Sequence, residues 1–469
     1  GAMASRYAPL CALLTLAACA RRDPDDAIPA PETDRVRDAG SVITVARTPA
    51  AGCPATTPRA EWGRGTVHGG TVTSAETWTR AASPHRLPNG AHIVAGASVR
   101  VDPCAVVLVG TGRDLVVQDD ARLVAAGTAD APVLFDSASE RPTAGDWIGV
   151  EIRERALPTS RFAHTTIAHA GAEPPQRGEP SAALRSWLTS GLDVDHLTVR
   201  DATGWGVAVL GESGFSPQSH MLRIAGTVGP GAVFFADAEQ VRTLPVGDYA
   251  RNEHADIFLA ARGRVVKTDA TWRNPGINCR YRIRRAARIL VEGANAPRLV
   301  IAPGTTVAFE DDAELDVGWE RPGALVADGG DARNRVVFTG DRATVTPATW
   351  VGILFGAHAD TARSRLRFAV VEGAGAPAAG AFVACPLAVG EPLEPTGMVF
   401  LQGIRAGDMI THTEFRAGPA RGVAVFSSGD SPLPAEDFAA PTRGNVFAAA
   451  GVRRAQTTPP RAGRCAPTP

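Results

Sequence analysis

Leu123-Val-Ala-Ala-Gly-Thr128 recurs later in the chain as Leu325-Val-Ala-Asp-Gly-Gly330, and Trp147-Ile-Gly-Val150 recurs as Trp350-Val-Gly-Ile353. The segment from Ser160-Arg161 to Ala170-Gly171-Ala172 matches Ser364-Arg365 to Ala374-Gly375-Ala376 without a gap. Gly206-Val-Ala-Val209 matches Gly422-Val-Ala-Val425, His196 falls on His412, and Trp78 and Trp272 open the two copies. The spacing drifts from 194 residues at the tryptophans to 216 at the histidines, as short insertions accumulate. The chain therefore holds two copies of one unit, expected at residues 76–260 and 261–451. Within each copy, short runs such as Ala105-Val-Val-Leu-Val109, Pro132-Val-Leu-Phe135, Arg288-Ile-Leu-Val291 and Arg335-Val-Val-Phe338 are closed by Gly, Asp or Asn. Runs of this length, rich in β-branched residues and bounded by turn formers, read as strands. No stretch of the body carries a long 3.6-residue amphipathic pattern, so the body reads as all-β.

Strands too short to bury a face alone, repeated along a chain, are the mark of a solenoid. The second half reads Ala270-Thr-Trp272, Tyr281-Arg-Ile283, Leu299-Val-Ile-Ala-Pro-Gly-Thr-Thr-Val307, Gly323-Ala-Leu-Val-Ala327, Val336-Val-Phe-Thr-Gly340, Trp350-Val-Gly-Ile353 and Val370-Val-Glu-Gly-Ala-Gly375. This succession resembles the right-handed parallel β-helix repeat proteins of bacterial cell surfaces, which share the pectin-lyase-like fold. The resemblance covers about residues 76–450 and implies an internally duplicated right-handed parallel β-helix. Apolar residues would then line a narrow coil in ladders, with Gly and Asp at the corners. Trp147 and Trp350, at matching places, read as packing residues rather than as a sugar-stacking platform.

The remaining segments read as an address and its connections. Arg6 precedes a short apolar run, Leu10 to Ala18, with the charged start and small-residue end of a secretory signal. Leu16-Ala17-Ala18-Cys19 resembles the lipobox of bacterial lipoproteins, which implies a signal segment over 1–19, cleavage before Cys19 and acylation there. Ala20 rather than Asp follows the cysteine, which by the same resemblance points to the outer membrane. Residues 20–75, with prolines at 24, 29, 31, 49, 54 and 58, read as a flexible tether, and 452–469 as a Pro-rich tail. Cys53, Cys104, Cys279, Cys385 and Cys465 form no Cys-x-x-Cys pair, and in an exported protein disulfides are their ordinary use. The pairing expected is Cys53 with Cys104 and Cys385 with Cys465, each pinning a terminal segment to the body. Cys279 is then the odd one.

The charge balance excludes one class of function. Lys+Arg is 48 against Asp+Glu 49, a formal net charge of −1, where a nucleic-acid binder working by bulk charge would be basic. Enzymes sharing the fold cleave uronic-acid polymers, using clustered carboxylates with calcium and an Arg or Lys base, or several Asp with Gly-His-Gly and Arg-Ile-Lys motifs. Those two motifs are absent here, and so are Gly-x-Ser-x-Gly, Walker and dinucleotide motifs. The best polar cluster is Asp193-Val-Asp195-His196, followed by Arg200 and Asp201. On a strand, Asp193 and Asp195 point to one face, where paired carboxylates can bind calcium or share a proton. The second copy acts as a control. His412 and Arg416 stand at His196 and Arg200, whereas Met409, Thr411 and Ala417 replace Asp193, Asp195 and Asp201. In an unbroken strand His196 and Arg200 would face away from those carboxylates. The acidic turn Glu310-Asp-Asp312 with Glu314 reads as a strand terminator. His164 and His169, which match Phe368 and Gly373, lack a third metal ligand in the sequence pattern.

The expected protein is a lipid-anchored solenoid of the outer membrane that binds a polysaccharide or another cell-envelope component without catalysis. The alternatives are a polysaccharide lyase or hydrolase using Asp193, Asp195 and Asp201, and a purely structural envelope protein. No cofactor is expected, calcium excepted.

Overall fold

The computed structural model describes the backbone of residues 35–38 and 41–44, and residues 53–153, 160–174, 178–187, 191–212, 214–342, 349–376, 397–418, 422–426 and 436–448. Cys19, Cys385, Cys465 and the segments 1–19 and 452–469 lie outside the described residues. Arg35–Asp38 and Ser41–Thr44 pair as an antiparallel hairpin in a unit of their own.

From Pro49 onward the chain forms one compact unit. It is a right-handed parallel β-helix, built among the described residues from strands and a few short 3-10 turns. A 14-stranded parallel sheet runs its whole described length, from Thr71–Val72 to Val446–Phe447. In the first half an 11-stranded sheet carries the rest of the coil. In the second half that surface divides into sheets of six and five strands. The division follows from strand length. Arg161–Ala168 and Asp193–Arg200 are eight residues long and continue around a bend. Val124 to Ala126 pair with Arg161 to Ala163, whereas Val133 to Phe135 pair with Thr165 to Ile167.

The core is a set of ladders, one residue per rung. On the long sheet, Ala91, Leu115, Val150, Leu184, Val207 and Val233 lie in register, each buried. The ladder continues without a break through Ile257, Tyr281, Val307, Phe338, Val371 and Phe415. The boundary expected at residue 260 falls inside the strand Asp256–Gly263, which pairs with a rung on either side. The two copies therefore share one core and are not separate domains. A parallel strand must be covered on both edges and on its inner face, so a break there would expose all three.

The duplication persists in atomic detail. Leu123 N–H donates to Ser160 Oγ at 3.0 Å, and Leu325 N–H to Ser364 Oγ at 3.2 Å. Trp147 Nε1 donates to Ala168 O at 2.8 Å, and Trp350 Nε1 to Glu372 O at 2.9 Å. Both indoles are fully buried, as packing residues rather than platforms. Left-handed backbone also recurs at matched positions: His164 and Phe368, His169 and Gly373, His196 and His412, Asp201 and Ala417. Corners expected of Gly and Asp are thus also made by His, Phe and Ala. In the first-named corner the rings stack on the rung above, His164 on His196 and Phe368 on His412, and this contact offsets part of the left-handed cost.

The chain enters the coil before the tether expected to end at residue 75 is complete. Thr66–Val67 and Thr71–Val72 pair with His85–Leu87 and Ala91–Ile93. Ahead of them, Ala55 and Trp62 pack on Val106, Leu108, Leu134 and Ala168, an apolar patch on the outer face of the 11-stranded sheet. Arg59 donates to Asp136 Oδ2 at 2.5 Å and to the Ser137 and Ser139 carbonyls. Cys53 is disulfide-bonded to Cys104. A Pro-rich segment cannot build a core, but here it borrows a sheet face. Cys279 is buried and free. Reduction of the Cys53–Cys104 bond, which closes a loop with a sequence separation of 51, is expected to lower the unfolding free energy by about 4 kcal/mol. Urea unfolding of the wild type against Cys104→Ala measures it.

Candidate functional site

The site forms where the strand Asp193–Arg200 departs from regular alternation. Val194 and Leu197 both point inward although they are three residues apart. The left-handed His196 between them, φ 56°, resets the alternation, so Asp195 and His196 both project outward. Histidine is among the few non-glycine residues that favour this backbone region. His164, φ 39°, sits at the same corner one rung below, because Ala163 pairs with Asp195 and Thr165 with Leu197. The two imidazoles stack with centroids 4.4 Å apart and planes at 12°. On the next rung Asp195 bridges to His220, and Met221 takes the left-handed corner.

Asp195 is the hub. Its Oδ1 lies 2.7 Å from His196 Nδ1 and 3.1 Å from His220 Nε2. Its Oδ2 accepts from Arg161 at 2.9 Å, and the same guanidinium donates to Asp193 Oδ2 at 3.1 Å. Burial alone would raise the Asp195 carboxyl. The hydrogen bond with His196 and the charges of His220, His196 and His164 together outweigh it and hold the group below the ordinary carboxylate range. A carboxylate held ionised suits accepting hydrogen bonds or ligating a cation, and is poorly suited to donating a proton.

The expected three-carboxylate arrangement does not assemble. Asp193 and Asp195 share Arg161, but Asp201 itself forms a second left-handed corner, with Arg200 at 2.6 Å. A side chain at Gly226 on the next rung would meet Asp201 Oδ1. The arginine against the two carboxylates is Arg161 of the preceding rung, not Arg200. Sequence reading missed it because the two are 32 residues apart and meet only through register. His164 and His220 were missed as partners for the same reason.

The second copy keeps the scaffold and loses the chemistry. Phe368 stacks on His412 at 4.8 Å, while Thr411 replaces Asp195 and buried Met409 replaces Asp193. Arg365, the counterpart of Arg161, turns back onto the carbonyls of Ala362 and Ser364. Arg443 stands where His220 stands, since His412 N–H donates to Arg443 O as His196 N–H donates to His220 O. The acidic turns behave as turns: Asp119, Asp120 and Asp312 adopt left-handed backbone, and Arg342 pairs with Asp311.

A second polar cluster was not legible in the sequence. On the outer face of the six-stranded sheet, Arg288 Nε lies 2.5 Å from Asp316 Oδ2 and 3.0 Å from Glu314 Oε1. The guanidinium also lies 5.3 Å from the centre of the Trp319 ring. Asp316 is fully buried, with Leu290 and Leu354 on the flanking rungs. Burial, reinforced by Glu314, pushes its carboxyl up to about 7 against the pull of Arg288. Burial likewise raises Glu314. One cation faces two carboxyls, and both are raised.

No protein-family model matches the chain, and neither does any curated protein or any solved structure. Among the described residues, no helix is long and apolar enough to cross a membrane.

The raised Asp316 carboxyl sets the sign of a pH effect. A carboxyl raised on folding contributes stability that is fully present below the unfolded value and lost as pH rises through the folded one. Unfolding free energy is therefore expected to fall as pH rises from the ordinary aspartate value of 3.8 toward about 7 and to level off above it. Asp316→Asn should remove this slope in denaturation series at several pH values.

Proposed function

We propose that this chain is a lipid-anchored envelope protein whose β-helix binds a glycan or another cell-envelope component without cleaving it. The observation that carries this reading is the asymmetry of the two copies. Both have the same left-handed corner and the same ring stack. The first surrounds that stack with Arg161, Asp193, Asp195 and His220, where the second has apolar or neutral side chains at the two Asp positions. A purely structural solenoid has no use for that difference, because the second copy builds the same corner and ring stack without it. Arg161 and His220 are about half exposed over two largely buried carboxylates, and together they combine charged acceptors with a fork of N–H donors, a set suited to the hydroxyl groups of a sugar.

The alternative polysaccharide lyase or hydrolase has less support. A general acid in this role needs a raised carboxyl, whereas Asp195 is lowered, and Asp201 stands apart from the pair. The likeness to pectin-lyase-like surface proteins remains a reading of sequence order, and so does the anchor at Cys19. Several acyl chains at that cysteine, at about 0.8 kcal/mol for each buried CH₂, would hold the solenoid firmly at the outer membrane.

The test is to incubate the chain from residue 20 onward with acidic and neutral polysaccharides, with and without calcium. Unsaturated products, reducing ends and retention on immobilised glycans are recorded together. Retention without cleavage is expected. Asp193→Ala is expected to weaken it roughly 10-fold or more, since a hydrogen bond to a charged group is worth about 1.5–3 kcal/mol. Cleavage abolished by Asp193→Ala or Asp195→Ala would make the protein an enzyme. Neither retention nor cleavage would leave the structural role.

A further inference from the structure

We propose that His164, Asp195, His196 and His220 form a binding site for a divalent transition-metal ion of the zinc type. Ligand atoms of His164, Asp195 and His196 already lie within 4.8 Å of one another. Zinc bonds of about 2.0–2.2 Å place its donors roughly 3.3 Å apart, so the His164 and His196 rings, stacked 4.4 Å apart, turn out of their stack when their in-plane lone pairs converge on an ion. His220 supplies the fourth donor, with Nε2 3.1 Å from Asp195 Oδ1.

A second feature of the geometry orients His220 toward the same carboxylate. His220 Nδ1 lies 2.9 Å from the Gln218 carbonyl oxygen. That oxygen can only accept, so Nδ1 carries the proton. The other nitrogen, Nε2, faces Asp195 Oδ1 at 3.1 Å. A histidine that donates one nitrogen to a backbone carbonyl and turns the other toward a carboxylate is arranged as metal-ligating histidines are. Arg161 holds the other oxygen of Asp195 at 2.9 Å, so Oδ1, the oxygen that His196 and His220 approach, is the one an ion would take in place of those contacts.

The donor set also selects the ion. Calcium takes six to eight oxygen ligands. Three imidazoles and one carboxylate suit zinc and its neighbours in the first transition row. The fold provides the spacing, since the histidines stand on three successive rungs at one bend. Where the first copy has these four groups, the second has Phe368, Thr411, His412 and Arg443, one donor in four.

This proposal does not depend on the glycan reading, because its test contains no glycan. The untagged protein, stripped with chelator and dialysed, is titrated with zinc sulfate by calorimetry and with cobalt(II) by visible absorption. Expected are one zinc site, a higher Tm with zinc but not with calcium, and the intense absorption of tetrahedral cobalt(II). His164→Phe and Asp195→Thr install residues that the same corner carries in the second copy, so both should fold. Each is expected to weaken zinc binding at least 10-fold, as is His220→Gln on the outer surface. Absence of zinc binding, a hydrated cobalt(II) spectrum, or binding unchanged in all three variants would overturn the proposal. Glycan retention by a protein that binds no zinc would overturn it too, while leaving the binding reading intact.

Discussion

Every rung of this protein depends on the rung beside it. A parallel strand of three or four residues can neither satisfy its backbone groups nor bury its inner side chain alone. Both needs are met only by a neighbour at the fixed sheet spacing of about 4.8 Å. The long sheet meets them from Thr71 to Phe447, and one apolar ladder runs along it through both copies. The continuity explains why a duplication that is plain in the sequence leaves no seam in the structure. The copies differ in their lateral faces, where the strands either continue around a bend or stop.

The bends decide which side chains face solvent together. Alternation along a strand separates neighbours onto opposite faces, and a left-handed residue cancels that rule for one step. At His196 the cancelled step places an imidazole beside the carboxylate that precedes it. Because bends stack in register, the same step on the adjacent rung places His164 beneath. A polar constellation on a solenoid is thus assembled across rungs, from residues about 30 positions apart. The second copy has the bends and lacks the ligands, which separates what architecture requires from what was added to it.

Register also explains the ion pairs. Arginine, used almost to the exclusion of lysine, has a fork long enough to touch carboxylates on its own and neighbouring rungs. Arg161 spans Asp193 and Asp195, Arg288 spans Glu314 and Asp316, and Arg282 reaches Asp256 and Glu310. Exposed pairs of this kind contribute little singly. The buried pair at Asp316 is different, because desolvation there outweighs attraction and raises the carboxyl.

The sequence by itself determined the class of fold, the duplication, and which positions of the first copy differ from the second. Short β-branched runs closed by turn residues, and a match over some two hundred residues, follow from local chemistry and from comparing the chain with itself. Asp193 and Asp195 were legible for that reason. Only the tertiary structure decided what surrounds them. Arg161, His164 and His220 join the cluster and Asp201 leaves it because rung register and the left-handed step at His196 set which side chains meet, and neither is written in local spacing. The buried Asp316 was hidden for a related reason. Its strand shows an outward position that would be solvated in an isolated sheet, and its burial comes from parts of the chain that the strand's own residues do not announce.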